Sequence, residues 1–179
     1  LEPCIVVAGS PNVGKSALIG ALSSGEPQVA SYPYTTKQLH LGHFTHRRRV
    51  YQMVDTPGLL DRPMLERNQI EMQAIAALEH LGDVLLFLID WTDESTTPIS
   101  EQERLLVEVR ELLSDRRVLV VSTKSDLLEG DVGEGDHRIS SISGEGLEEL
   151  RADLIEIIDA DRVDDPLTLP EHWPREDER

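Results

Sequence analysis

Eight residues near the start of the chain, Gly9-Ser10-Pro11-Asn12-Val13-Gly14-Lys15-Ser16, satisfy the spacing G-x-x-x-x-G-K-[ST]. Glycines at that interval let backbone N–H groups curl round an anion, with a lysine and a hydroxyl following within reach of it. The loop comes directly after the β-rich run Cys4 to Ala8 and opens a helical stretch to about Leu22, so a helix N-terminus adds positive potential. The chemistry is phosphate binding. Asn12, Val13, Gly14, Lys15, Ser16 and Ala17 form the candidate cradle; Lys15 reaches the outer phosphates and Ser16 offers a hydroxyl to magnesium. A chance Gly-rich turn is the competing reading, and eight matched positions in the right context outweigh it.

Magnesium needs a second, anionic partner, and Asp55-Thr56-Pro57-Gly58 supplies it at the end of a strand candidate about 40 residues downstream. Asp55 would hold the metal through water, and the Gly58 N–H would meet a terminal phosphate. Alone, this tetrapeptide reads equally well as an ordinary turn; paired with the phosphate loop it belongs to the same site.

Thr123-Lys124-Ser125-Asp126 follows the apolar run Val118 to Val121. A carboxylate there can accept two hydrogen bonds from the guanine N1–H and N2 amine, which adenine cannot donate. Lys124 would lie along the base, and the bland alternative is a capped turn. Ser140-Ser141, ahead of Ile142-Ser143-Gly144-Glu145-Gly146, is a candidate for a backbone contact to the guanine O6.

These residues must be positioned by elements that alternate along the chain. Gln38 to Thr45 and Arg49 to Asp55 read as two strands joined by a polar turn at His46 and Arg47. Ile70, Ala74, Ala77, Leu78 and Leu81 share one helical face, and Val84 to Ile89 is an apolar run suited to a strand covered on both sides. Thr97 is expected to cap the next helix, with Pro98 at its first position and a buried stripe of Leu105, Leu106, Val109, Leu112 and Leu113. A short strand at Arg138 to Ile139 leads to a final helix with Leu147, Leu150, Leu154, Ile157 and Ile158 on one side. The pattern predicts an α/β domain over residues 1–159, with a six-stranded, mostly parallel sheet flanked by helices and the ligand at the C-terminal ends of the strands. Residues 160–179 are acidic and Pro-containing, and read as a linker or docked extension.

At 179 residues the chain suits one domain. No run approaches the roughly 20 apolar residues of a membrane span, and no signal peptide is visible. The absence of an initiator Met suggests a piece of a longer protein, and the lone Cys4 suits a reducing cytoplasm. Net charge is −17, only Lys15, Lys37 and Lys124 are lysine, and the carboxylates are dispersed. That favours adaptation to a salty cytoplasm, as in a halophile, over a single acidic interaction surface. His46-Arg47-Arg48-Arg49 is the one basic cluster; it is either a solvated turn, the favoured reading, or a phosphate-contacting tip for RNA.

With the nucleotide motifs in place, the chain resembles P-loop GTPases of the translation-factor class, in the Obg branch. Tyr32-Pro33-Tyr34-Thr35-Thr36-Lys37, Leu41-Gly42-His43, and Asp55 through Arg62-Pro63 with Glu66-Arg67-Asn68 look similar to the nucleolar GTP-binding proteins, which assemble the large ribosomal subunit and have archaeal relatives. The resemblance covers about Cys4 to Leu150. It implies GTP and GDP as ligands, magnesium as cofactor and a ribosomal or RNA–protein particle as partner. It also implies Lys15, Thr36 and Gly58 as catalytic residues, Ser16, Thr36 and Asp55 at the metal, and switch loops around Thr36 and from Asp55 to Asn68. Thr35 is the weaker alternative to Thr36.

Three departures stand out. Thr123 replaces the usual Asn of N-K-x-D, without expected loss of guanine binding. The stretch from Asp126 to Ser140 is short for the helix usual there. Leu59 falls where Ras-like enzymes orient water with glutamine, so intrinsic hydrolysis is expected to be slow. In several relatives an Asn at the position of Asn12 ligates potassium; here Asn12 either does so or only braces the loop. The competing functions are a docking module that hardly turns over and the nucleotide domain of a membrane transporter.

Overall fold

The structure is a computed structural model, and it describes residues 2–26, 28–31, 38–55, 57–69, 71–72, 74–76, 82–130 and 133–163. Strands β1 (Cys4–Ala8), β5 (Val84–Asp90) and β6 (Arg117–Thr123) are the apolar runs of the sequence, and they sit side by side. Around them lie β2 (Gln28–Ser31), β3 (Gln38–His46), β4 (Arg49–Asp55) and β7 (His137–Arg138), in the order β2-β3-β4-β1-β5-β6-β7. The sheet therefore has seven strands among the described residues where six were expected. The addition is β2, an edge strand antiparallel to β3 whose Val29 is exposed, so no buried alternation announced it. β3 and β4 also pair antiparallel, while the other four pairings are parallel.

Alternation along the central strands feeds two cores. Ile5, Val7, Val84, Leu86, Leu88, Leu119 and Val121 face one side, where helices α1 (Lys15–Leu22) and α4 (Leu147–Val163) pack. Val6, Ala8, Leu85, Phe87, Ile89 and Val120 face the other, against helical residues 69, 71–72 and 74–76 (α2) and α3 (Ile99–Leu112). Each fully buried Leu, Ile or Phe contributes roughly 1.5–3 kcal/mol. The five apolar residues expected on the last helix all join the first core. Of the face expected over 70–81, Ala74 is buried as expected, and 70, 77, 78 and 81 lie outside the described residues. α4 continues through Asp159 to Val163, and the tail at 164–179 lies outside the described residues.

The start of α3 differs from expectation. Pro98 is the cap itself, its carbonyl accepting from the Glu101 and Gln102 N–H groups, and Thr97 makes no side-chain cap bond. Gln102, fully buried, does the tethering: its Oε1 accepts from the Asp90 N–H, and its Nε2 donates to the Asp90 and Thr97 carbonyls. Between β6 and β7 the described residues hold only a 3₁₀ turn, Ser125–Leu127, in place of a helix. The β3–β4 hairpin closes on Arg47 and Arg48, both at positive φ (47° and 69°), as a tight two-residue hairpin turn requires. Arg49 pairs with Asp159 at 2.6 Å and the Tyr51 hydroxyl donates to the same carboxylate, so part of the basic cluster is spent on holding the hairpin to α4.

Candidate nucleotide-binding site

The C-terminal ends of β1, β4, β5 and β6 and the loop after β7 meet at one end of the sheet, and most of the described candidate residues lie there. After β1 the chain bends at Gly9 (φ 133°) against β5, so closely that a Cβ would stand 2.6 Å from the Leu88 carbonyl oxygen. No side chain larger than hydrogen fits there. Asn12 (φ 62°) and Gly14 (φ 103°) complete the curl, and Val13 is buried beneath it. Lys15 folds back over the loop, its Nζ donating to the Gly9 and Ser10 carbonyls at 2.8 and 2.9 Å. Burial lowers its pKa, while Asp55 and then Asp61 act in the opposite sense. Ala17 lies in the first turn of α1, exposed.

Ser16 Oγ donates to Asp55 Oδ2 at 3.1 Å, so the two residues expected at the metal touch. Asp55 is 1% exposed, and its other oxygen has no hydrogen-bond partner among the described residues. Burial raises its pKa, only partly opposed by Lys15, Ser16 and His40, whose Nδ1 is 3.5 Å away. A buried carboxylate with an unused oxygen beside a hydroxyl is a fitting donor set for a hard divalent cation. Thr36, Thr35 and Thr56 lie outside the described residues.

Gly58 (φ 76°) donates its N–H to Asp61 Oδ2 at 2.7 Å. Leu59 is wholly buried in the second core, so it anchors this loop and presents nothing to water. Around it runs a network that the sequence reading missed. The Arg67 side chain is fully buried, donates to the Gly58 and Arg62 carbonyls, and lies 3.8 Å from Asp61 Oδ1. Arg62 pairs with Glu71, and Asn68 and Glu71 exchange side-chain-to-backbone hydrogen bonds at the start of α2. The spacing Asn68-Gln69-Ile70-Glu71, a variant of the capping box, was the available signal.

On the side where the base is expected, Thr123 is buried, and its hydroxyl donates to the Val13 carbonyl at 2.7 Å. It therefore acts by tying β6 to the phosphate loop. Lys124, in the left-handed region at φ 55°, pairs with buried Asp90. Asp126 is exposed in the 3₁₀ turn. Buried Ser140 accepts from the Ile142 and Ser143 N–H groups and shapes the loop that carries Ser141. Ser125 Oγ donates to Glu145 at 2.7 Å, joining that loop to the turn of Asp126. Asn12 Nδ2 reaches Thr96 Oγ1 at 3.4 Å, a long contact across the mouth of the site.

A glycine-rich loop between a parallel strand and a helix, with a lysine over it and a buried Ser–Asp pair beside it, defines a P-loop nucleotide-binding domain of the GTPase type. The chain belongs to the family described as 50S ribosome-binding GTPase, whose family model matches residues 4–124. Nucleolar GTP-binding protein 1 of Encephalitozoon cuniculi is 40% identical over 158 residues, 87% of this chain and 30% of that protein. A crystal structure assigned to nucleolar GTP-binding protein 1 of Plasmodium falciparum matches with TM-score 0.78 and 30% identity, over 90% of this chain and 89% of that one. The G domain of the T. maritima FeoB iron transporter matches with TM-score 0.68 and 25% identity, over 88% and 99%. The chain spans about a third of the length of the first curated relatives it matches, 35% and 30%. It is thus a GTP-binding protein related to the nucleolar GTP-binding proteins, in a family that generally hydrolyses GTP.

Proposed function

We propose that this domain binds GTP with magnesium, hydrolyses it slowly to GDP and phosphate, and acts as a switch in assembly of the large ribosomal subunit. The observation that carries the reading is the Ser16–Asp55 contact beneath the Lys15-crowned loop, with Asp126 and the Ser140 loop braced to the same cradle through Thr123 and Ser125. In the proposed complex the loop N–H groups and Lys15 hold the phosphates, while Ser16, Asp55 and Thr36 hold the magnesium, which neutralises charge on the phosphoryl oxygens. Asp126 and the backbone after Ser141 select guanine, Lys124 lies beside the base, and Gly58 orients the terminal phosphate. Slow turnover follows from Leu59, which is buried and cannot orient water. Asn12 is the candidate ligand for a potassium ion that supplies the missing positive charge. Relatives named for the nucleolus, and the family's description, support a ribosomal partner; the net charge of −17 with scarce lysine supports a salt-adapted cytoplasm as the setting.

Single-turnover hydrolysis of GTP, with ATP as control, tests the core of this reading. Hydrolysis of GTP alone supports it; equal affinity for the two nucleotides overturns it, and tight GTP binding without turnover leaves a docking module. The FeoB likeness favours a second reading, the nucleotide domain of a transporter. Among the described residues no helix is long and apolar enough to cross a membrane, and fractionating cells for the full-length protein separates the two readings.

A further inference from the structure

We propose that Asp61 is an internal competitor for the terminal phosphate of GTP, and so a positioning residue that sets how the domain discriminates triphosphate from diphosphate. The inference rests on the nucleotide reading above and goes beyond it. Gly58 has one N–H, and Asp61 Oδ2 accepts it at 2.7 Å. A terminal phosphate oxygen held by that N–H would need the same proton at the same distance, and two anions cannot share it. The mimicry extends to charge: Asp61 lies near enough to Lys15 to favour its protonated form, as the third phosphate of GTP would. Its carboxylate side chain is only 14% exposed, and Oδ1 has no hydrogen-bond partner among the described residues. It is held there by the neighbouring charge of Arg67, 3.8 Å away.

The loop is built to let Asp61 leave without unravelling. Arg67 is also fixed by the Gly58 and Arg62 carbonyls, Arg62 by Glu71, and Leu59 and Leu60 by the second core, so the loop keeps these anchors when the Asp61–Arg67 pair opens. Asp61 also lines a cleft of about 370 Å³ between the phosphate loop, residues 61–66 and α3. Arg62 and Arg104 line the same cleft, together with Glu66 and Glu101, so its charge is mixed and a displaced carboxylate has room there and Arg104 as a cation to meet. GTP must expel Asp61, whereas GDP, lacking the third phosphate, leaves it in place. The residue therefore lowers affinity for triphosphate selectively.

Calorimetry of wild type, Asp61→Ala and the isosteric Asp61→Asn, each with GDP and with the non-hydrolysable guanosine β,γ-imidotriphosphate, tests this in magnesium buffer. Loss of a charge-assisted hydrogen bond to a competitor should tighten the triphosphate analogue by about tenfold or more in Asp61→Ala, and by less in Asp61→Asn, whose amide oxygen still accepts. GDP affinity should stay within about twofold in both, which also shows that they fold. Equal shifts for both nucleotides, or weaker binding of the analogue, overturn the competitor role and make Asp61 a support of the site. If wild type binds neither nucleotide, the nucleotide reading itself falls and this inference falls with it.

Discussion

Asp55 carries an unbalanced burden: it is buried, its pKa is raised by that burial, and one of its oxygens lacks a partner among the described residues. Its ionised form is costly until a cation shares it. Ser16→Ala should therefore weaken magnesium binding by at least the roughly 10- to 100-fold that loss of an outer-shell partner costs. The hydrolysis defect should shrink as magnesium is raised; a defect that ignores magnesium would show that Ser16 is not a ligand. At the other end of the site, Asp126 is exposed and free to turn toward a base edge. Asp126→Asn should weaken GTP binding by about 10- to 100-fold, the worth of a charged pair of hydrogen bonds, and shift preference toward xanthosine nucleotides. Unchanged GTP affinity by calorimetry would remove Asp126 from base recognition.

Between elements, the tightest join is Gln102, a fully buried amide on α3 that satisfies both backbone groups of Asp90 at the end of β5. Gln102→Leu should cost about 1–3 kcal/mol for each backbone group left unpaired, measured by urea unfolding, and should loosen the Asp90–Lys124 pair beyond it. A loss within 0.5 kcal/mol would mean water takes over both bonds. This join was illegible in the sequence, where a polar residue beside Leu105 and Leu106 reads as an interruption of the apolar stripe. By contrast β1, β5 and β6 were legible because burial on both faces demands continuous apolar runs, and α4 because five apolar residues recur at helical spacing. The phosphate loop was legible for a different reason: its glycines answer local backbone demands, visible as the positive φ of Gly9 and Gly14. The network of Asp61, Arg67 and Glu71 depends on where a folded loop places charges; the Asn68–Glu71 spacing marked only the start of α2, and nothing in the sequence placed Asp61 against Arg67. β2 was missed because an exposed edge strand needs no pattern.

At the scale of the whole molecule a net charge of −17 on 179 residues means self-repulsion that dissolved ions relieve. Thermal stability should climb as potassium chloride is raised from low to molar concentration, by scanning calorimetry; a flat response would argue that the charge is locally compensated. Catalysis must be separated from that effect. At matched ionic strength and with folding verified, GTP hydrolysis should be faster in potassium than in sodium chloride, and Asn12→Ala should erase the difference while sparing GDP binding. Equal rates in the two salts would leave a partner-supplied group as the activator. The hydroxyl of Thr123 has a consequence of another kind. It bonds the Val13 carbonyl at 2.7 Å and the Ile89 carbonyl at 3.2 Å, fastening the phosphate cradle to the strand that leads to Asp126. On the proposed reading, the span between the two ends of the site would thereby be fixed like the jaws of a caliper, and a nucleotide would be gauged by its length from base edge to phosphate.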